Sequence, residues 1–199
     1  MGRGSFCGMR VEALNSLNAA WAAIEVPWQD AGGEAYLDLR GNPDFIGQIA
    51  PAIEHSPLAG FLAVVNGEGS LFTTVQAKVW AEAPANEQRE SAFHSRVDMV
   101  LTHEEFNFMP ERYEDAVRRL VELWMKDFAS TDTLAVRLEM LPCRFMAQNR
   151  TGIALRVVLT ARGATVEQAR TRWGLGLARV QQALLFVSRA MRQKLGLEG

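Results

Sequence analysis

Val166, Ala169, Trp173, Leu177, Val180, Leu184, Val187, Met191 and Leu195 follow one another at steps of three or four. That period puts all nine on one stripe, so a single long helix is predicted over residues 165–195. Thr165 can cap its start, and Gln168 three residues later completes a capping box. Gly196 follows the last turn, where a left-handed residue ends helices. Gly174 and Gly176 cost such a helix about 1 kcal/mol each, so they are expected to admit a close neighbour. A helix this long needs a broad apolar platform, and the strand-like segments before it can supply one.

Those segments come in blocks. Residues 11–24 (VEALNSLNAAWAAI) place Val11, Leu14, Leu17, Trp21 and Ile24 on one face, predicting a short helix stopped by Pro27. Residues 34–39 read as a short strand. Asn42 before Pro43 opens a helix that runs to His55 and bends or restarts near Pro51. Residues 58–65 read as a strand, 66–70 as a turn and 71–80 as its partner. In the partner, Leu71, Thr73, Val75, Ala77 and Val79 face one way and Thr74, Gln76 and Lys78 the other. Residues 91–101 alternate again, with Phe93, Val97, Met99 and Leu101 opposite His94, Arg96 and Asp98. Residues 133–141 form another strand, and Pro142 marks an edge or bulge. A second hairpin is predicted from residues 144–148, a turn at 149–152 and residues 153–160. The fold class is α+β: an antiparallel sheet, a three-strand meander plus a hairpin, with helices packed on one face. The expected organisation is a disordered leader over residues 1–10 and a single domain over 11–199.

Between the strand blocks, residues 110–128 form a second strong helix. At 100° per residue its apolar arc covers about 200°, roughly twice what contact with one sheet needs. Such a helix either lies between two layers of its own domain or buries its spare side against another chain. Tyr113, Val117, Leu120, Val121, Trp124 and Phe128 are therefore expected to supply core and homodimer contacts. On the long C-terminal helix, Leu175 and Phe186 lie roughly opposite the main stripe. They are expected to face outward, as a surface for a client polypeptide.

No residue constellation announces a chemistry. His103-Glu104-Glu105 begins like a zinc-protease motif, but Asn107 stands where the second histidine must be. Convergence of His94, His103 and Glu104 on a metal has no support from spacing. There is no GxSxG or phosphate-binding GxxxxGK[ST] sequence, and Gly174-Leu-Gly176 lacks the rest of a dinucleotide fingerprint. Cys7 and Cys143 are far apart and form no CxxC pair, so reduced thiols are expected. The expectation is a non-enzymatic protein with no catalytic residues, cofactor or metal. No run reaches the ~18 apolar residues of a membrane span, and a cytoplasmic location with no membrane partner follows.

Charge is unevenly spread. Residues 137–199 hold eleven Lys and Arg against three Asp and Glu, while residues 1–136 hold ten against twenty. Either the two halves pack together and neutralise each other, or the last third forms a basic face. The second case makes a nucleic-acid-associated protein the alternative function, although Phe145 and Phe186 are the only aromatic residues there outside the helix stripe.

The stretch Gly152-Ile-Ala-Leu-Arg-Val-Val-Leu159, followed by Gly163-Ala-Thr165-Val-Glu-Gln168, resembles the strand, glycine-containing loop and Thr-capped helix that open the last part of YbjN-like domains. The order from residue 58 onward is likewise similar to the α+β fold of type III secretion chaperones. The likeness covers roughly two thirds of the chain, and residues 34–55 depart from it. It implies a chaperone-like, non-enzymatic protein that binds a client polypeptide and forms a homodimer through its middle helix.

Overall fold

The computed structural model describes residues 10–18, 24–26, 37–83, 90–127 and 133–197. The elements are β1 (Arg10–Asn15), β2 (Ile24–Val26), a 3-10 turn (Pro43–Gln48), α1 (Ala50–Glu54), α2 (Ser56–Val65), β3 (Phe72–Glu82) and β4 (Ser91–Leu101). There follow a second 3-10 turn (Glu104–Phe108), α3 (Pro110–Asp127), β5 (Leu134–Phe145), β6 (Arg150–Gly163) and α4 (Val166–Leu195). The fold is α+β, with one open sheet in the order β1-β5-β6-β4-β3 and β2 also alongside β5.

The sheet is mixed, which corrects the expected antiparallel one. The pairs β3–β4, β4–β6 and β5–β6 are antiparallel, whereas β1 and β2 run parallel to β5. β1 ends opposite Met140 and β2 begins opposite Cys143. Pro142, which has no N–H to offer a ladder, therefore sits where the flanking strand is interrupted.

α4 forms as the periodicity predicts. Thr165 Oγ1 accepts from Gln168 N at 3.1 Å, and Gln168 Oε1 accepts from Ala164 N at 2.7 Å. Gly196 ends the helix at φ 67°. Trp173, Leu177, Val180, Leu184, Val187 and Met191 are buried on β6 and β4, and Trp173 Nε1 donates to Ser95 Oγ at 2.9 Å. Both mid-helix glycines admit neighbours. A Cβ on Gly176 would lie 3.1 Å from Leu134 Cδ2 and 3.2 Å from Leu159 Cδ2, and one on Gly174 would lie 3.2 Å from Pro57 Cγ.

Three expected elements differ. Residues 58–65 are part of helix α2, not a strand, so the expected meander is reduced to the β3–β4 hairpin. Pro57 occupies the first helical turn, and Leu58, Phe61, Leu62 and Val65 are all at most 1% exposed. An apolar run buried on several sides carries no period that separates helix from strand. Residues 11–24 do not form a helix in their described parts. They supply β1 and β2, held by parallel pairing to a strand more than 100 residues later. Residues 34–36 lie outside the described residues, and 37–39 form no strand. Asp38 Oδ1 instead accepts from Arg40 N and Gly41 N, and Arg40 Nη1 donates to the carbonyls of Gly67 and Ser70. The expected leader falls on residues 1–9, outside the described residues, while Arg10 already belongs to β1.

β3 also departs from simple alternation. Thr74 pairs with Met99 and Gln76 with Asp98, leaving Val75 as an extra residue in a β-bulge. Phe72, Ala77 and Val79 thus all face the main core, while Val75 joins a smaller cluster with Ile24, Val100, Leu141, Cys143, Phe145 and Ala154. The long strands β5 and β6 form one continuous hairpin whose turn holds Asn149 at φ 48°.

Asn107, the residue that breaks the zinc-motif pattern, is a structural clamp. Its Oδ1 accepts from Leu101 N at 2.8 Å and Tyr113 OH at 2.5 Å, and its Nδ2 donates to Leu101 O at 2.9 Å. Its own carbonyl lies against β6, where a Cβ on Gly152 would come within 2.5 Å of the Asn107 oxygen and 2.8 Å of Phe145 Cε2. Gly152→Ala should therefore destabilise the chain by about 1–3 kcal/mol. The check is a lower urea midpoint at unchanged slope.

Candidate binding surfaces

The helices and the main core occupy one face of the sheet, which leaves two kinds of surface: the outer side of α4 and the opposite face of the sheet. On α4, Leu175 is 63% and Phe186 60% exposed. Eleven residues separate them, which is about 20° beyond three full turns and roughly 16 Å along the axis. They form one line on the helix side away from the sheet, as expected. Leu175 also borders a groove of about 440 Å³ lined by His55, Pro57, Arg170 and Gly174.

The six expected contact residues around α3 are disposed differently. Tyr113, Leu120 and Trp124 are at most 1% exposed inside the chain, and so line no surface. Val117 and Val121 are partly buried and pack against the same core. Phe128 lies outside the described residues. The described apolar residues of α3 pack towards β1, β6 and α4.

Across the opposite face of the sheet runs a polar array. Asp98 is fully buried there. Arg156 Nε donates to its Oδ1 at 2.7 Å and Nη2 to its Oδ2 at 3.1 Å, a two-pronged charge-assisted pair. Arg96 Nε stands 3.4 Å from Oδ2 without hydrogen-bond alignment, while its Nη2 donates to Gln76 Oε1 at 2.7 Å. One row further, Trp80 and His94 stack with their planes 9° apart, and His94 Nδ1 bonds Thr160 Oγ1 at 3.0 Å. His94 Nε2 is 3.5 Å from Glu82 Oε2. Burial lowers the His94 pKa against the raising effect of Glu82, and Arg162 lowers it further. A depression of about 340 Å³ lies beside the stack, bordered by Arg10, Glu12, Arg137 and Thr160.

These side chains do not make a metal centre or a nucleophile. His94 and His103 are nine residues apart on and just beyond one strand, about 30 Å, and His103 lies against Phe106. Among the described residues no three His, Cys, Asp or Glu side chains gather as a ligand set. Cys143 is buried in the smaller cluster, and burial pushes its thiol up to about 12, which keeps it protonated and unreactive.

Much of the basic last third is engaged inside the chain. Arg156 meets Asp98, Lys194 Nζ meets Asp115 Oδ2 at 3.2 Å, Arg172 donates to Arg162 O, and Arg192 donates to the carbonyls of Glu68 and Leu197. Burial opposes the charge on Asp115, but hydrogen bonds from Lys194, Arg118 and Arg119 hold its carboxyl below the usual range. No described helix is long and apolar enough to cross a membrane.

Two outcomes test this electrostatic arrangement. Asp98→Ala strands two guanidiniums and should cost on the order of 3 kcal/mol, the low end for a broken buried pair, because those side chains keep 24% and 16% exposure. Asp115→Ala should cost about 1 kcal/mol or less, and denaturation of both variants ranks them. His94 has a lowered pKa in the folded chain, so below the unfolded value of 6.5 the unfolded state binds more protons. Stability should fall as pH drops through and below that value, and His94→Gln should flatten the fall in melts between pH 7 and 5.

No family model, curated protein or solved structure matches this chain.

Proposed function

We propose that the chain is a non-enzymatic, chaperone-like module that binds another polypeptide through the outer side of α4. The observation that carries this reading is the Leu175–Phe186 line: two large apolar side chains, 63% and 60% exposed, on one side of a rigid 30-residue helix. Exposed apolar residues gathered on one face mark interaction surfaces more often than single scattered ones do. An amphipathic or extended segment with apolar residues about three helical turns apart would fit them. The groove between α4 and the start of α2 gives such a segment a concave place beside Leu175.

The reading keeps a polypeptide partner and sets aside α3 as the seat of self-association, because three of its expected contact residues are spent in the core. Nucleic-acid binding is the weaker alternative, since cationic side chains of the last third are held by Asp98, Asp115 and backbone carbonyls. The test is the set of proteins retained by the immobilised chain from its source cells, compared with Leu175→Asp and Phe186→Asp. The melting temperature should change little, because both side chains already face solvent, while specific retention should drop at least tenfold. Equal retention by folded variants would remove α4 as the binding surface.

A further inference from the structure

Among the described residues, β3 is the last strand on its side of the sheet. Its inner half is buried, but from Lys78 to the end of the strand most residues are exposed, and Trp80 is 39% accessible. Among the described residues, no backbone group outside β4 hydrogen-bonds to residues 77–82. An edge of this kind presents a row of free N–H and C=O groups. Side chains alternate along it: Lys78, Trp80 and Glu82 stand on the helix-free face, and Ala77, Val79 and Ala81 on the other.

We propose that this edge is a self-association surface, on which a second copy of the chain pairs its own β3 antiparallel in a register centred on Trp80. In that register Lys78 of each copy lies opposite Glu82 of the other, the two Trp80 rings meet at the centre, and Val79 lies opposite Ala81. Other registers that keep the two helix-free faces together are poorer. Centring on Lys78 sets two lysines against each other, and centring on Val79 places Lys78 opposite Trp80 and Glu82 opposite Gln76. Like charges directly opposite across strands destabilise a pairing, and unlike charges support it.

Each chain is also left with the charges this pairing would use. On β4 the residue opposite Lys78 is Arg96, a second cation, and Lys78 makes no ion pair among the described residues. Glu82 is 65% exposed, and its one ion-pair contact among the described residues is with His94, at 3.5 Å. The spacing of this cation and this anion, four residues apart on one face, is complementary to its own reverse. A two-fold axis through Trp80 therefore satisfies both ends at once. This proposal is independent of what binds α4.

Charge reversal tests it. The wild-type chain should sediment as a dimer across micromolar concentrations. Lys78→Glu and Glu82→Lys, each at an exposed position, should each sediment as a monomer. Their equimolar mixture, and separately the double variant K78E/E82K, should return to the dimer, since opposite charges again face each other. Recovery in the mixture would show that both single variants are folded. Amide exchange over residues 77–82 should slow as wild-type concentration rises. A wild-type chain that stays monomeric would overturn the proposal. So would single variants that dimerise as the wild type does, or a mixture of folded single variants that remains monomeric.

Discussion

The close approach of α4 to the sheet governs the rest of the fold. Gly176 lets the Leu134 and Leu159 side chains reach the helix axis, and Gly174 does the same for the Pro57 ring on the other flank. The same stretch of helix therefore sets its distance both to β5 and β6 and to the start of α2. Trp173, between these glycines and the helix start, is fully buried and edge-on to Phe93 at 5.1 Å and His55 at 5.8 Å, with its N–H on Ser95. One indole thus ties the sheet to the α1–α2 junction. The glycines cost the helix about 1 kcal/mol each, and burial of each large apolar residue along the stripe returns about 1.5–3 kcal/mol. The outer side of α4 contributes nothing to that balance, which is why Leu175 and Phe186 need a separate explanation.

Charge follows the same logic of halves brought together. Among the described residues, ion pairs join the acidic first two thirds to the basic last third at Asp98 with Arg156 on the helix-free face and at Asp115 with Lys194 between α3 and α4. The first pair is desolvated, fixed by two aligned hydrogen bonds and flanked by Arg96. It pins the register of β4 against β6, because Asp98 and Arg156 are direct partners across the ladder. A one-residue slip of β4 would turn Asp98 to the apolar core and leave Arg156 without its partner on the helix-free face. The second pair is exposed enough that its worth is small.

Legibility in the sequence tracked how local the determining interaction is. α4 and its caps were readable because their period, Thr165 and Gly196 lie within one segment. The β4 alternation was readable because Phe93, Val97, Met99 and Leu101 recur on one face opposite His94, Arg96 and Asp98. Helix α2 carried a readable signal, Pro57 followed by Leu58, Phe61, Leu62 and Val65 at helical spacing, but the surrounding Ala59, Ala63 and Val64 filled the gaps and left an apolar run of ambiguous period. β1 could not be read from its own residues: VEALN is short, and what makes it a strand is parallel pairing to residues 135–140. The Val75 bulge was equally hidden, since only the partner strand shows that one residue is extra. Of the surfaces, the outward Leu175 and Phe186 were visible from helical angle alone, whereas the Trp80–His94 stack and the edge status of β3 required the sheet order.

The two proposed surfaces are linked by the geometry of a sheet edge. Residues that lie opposite one another in a pairing centred on Trp80 are two, four or more places apart, so they share a face, and the two-fold axis must stand perpendicular to the sheet. The sheet then continues from one copy into the next, with every helix on the same side. Both α4 helices face that side, each with its Leu175–Phe186 line turned away from the sheet. Two identical apolar lines in a fixed relation on a single face favour one client that reaches both over two separate clients, because the second contact becomes intramolecular and benefits from a high effective concentration. In the proposed pair, each weak and narrow apolar line would gain affinity from its twin.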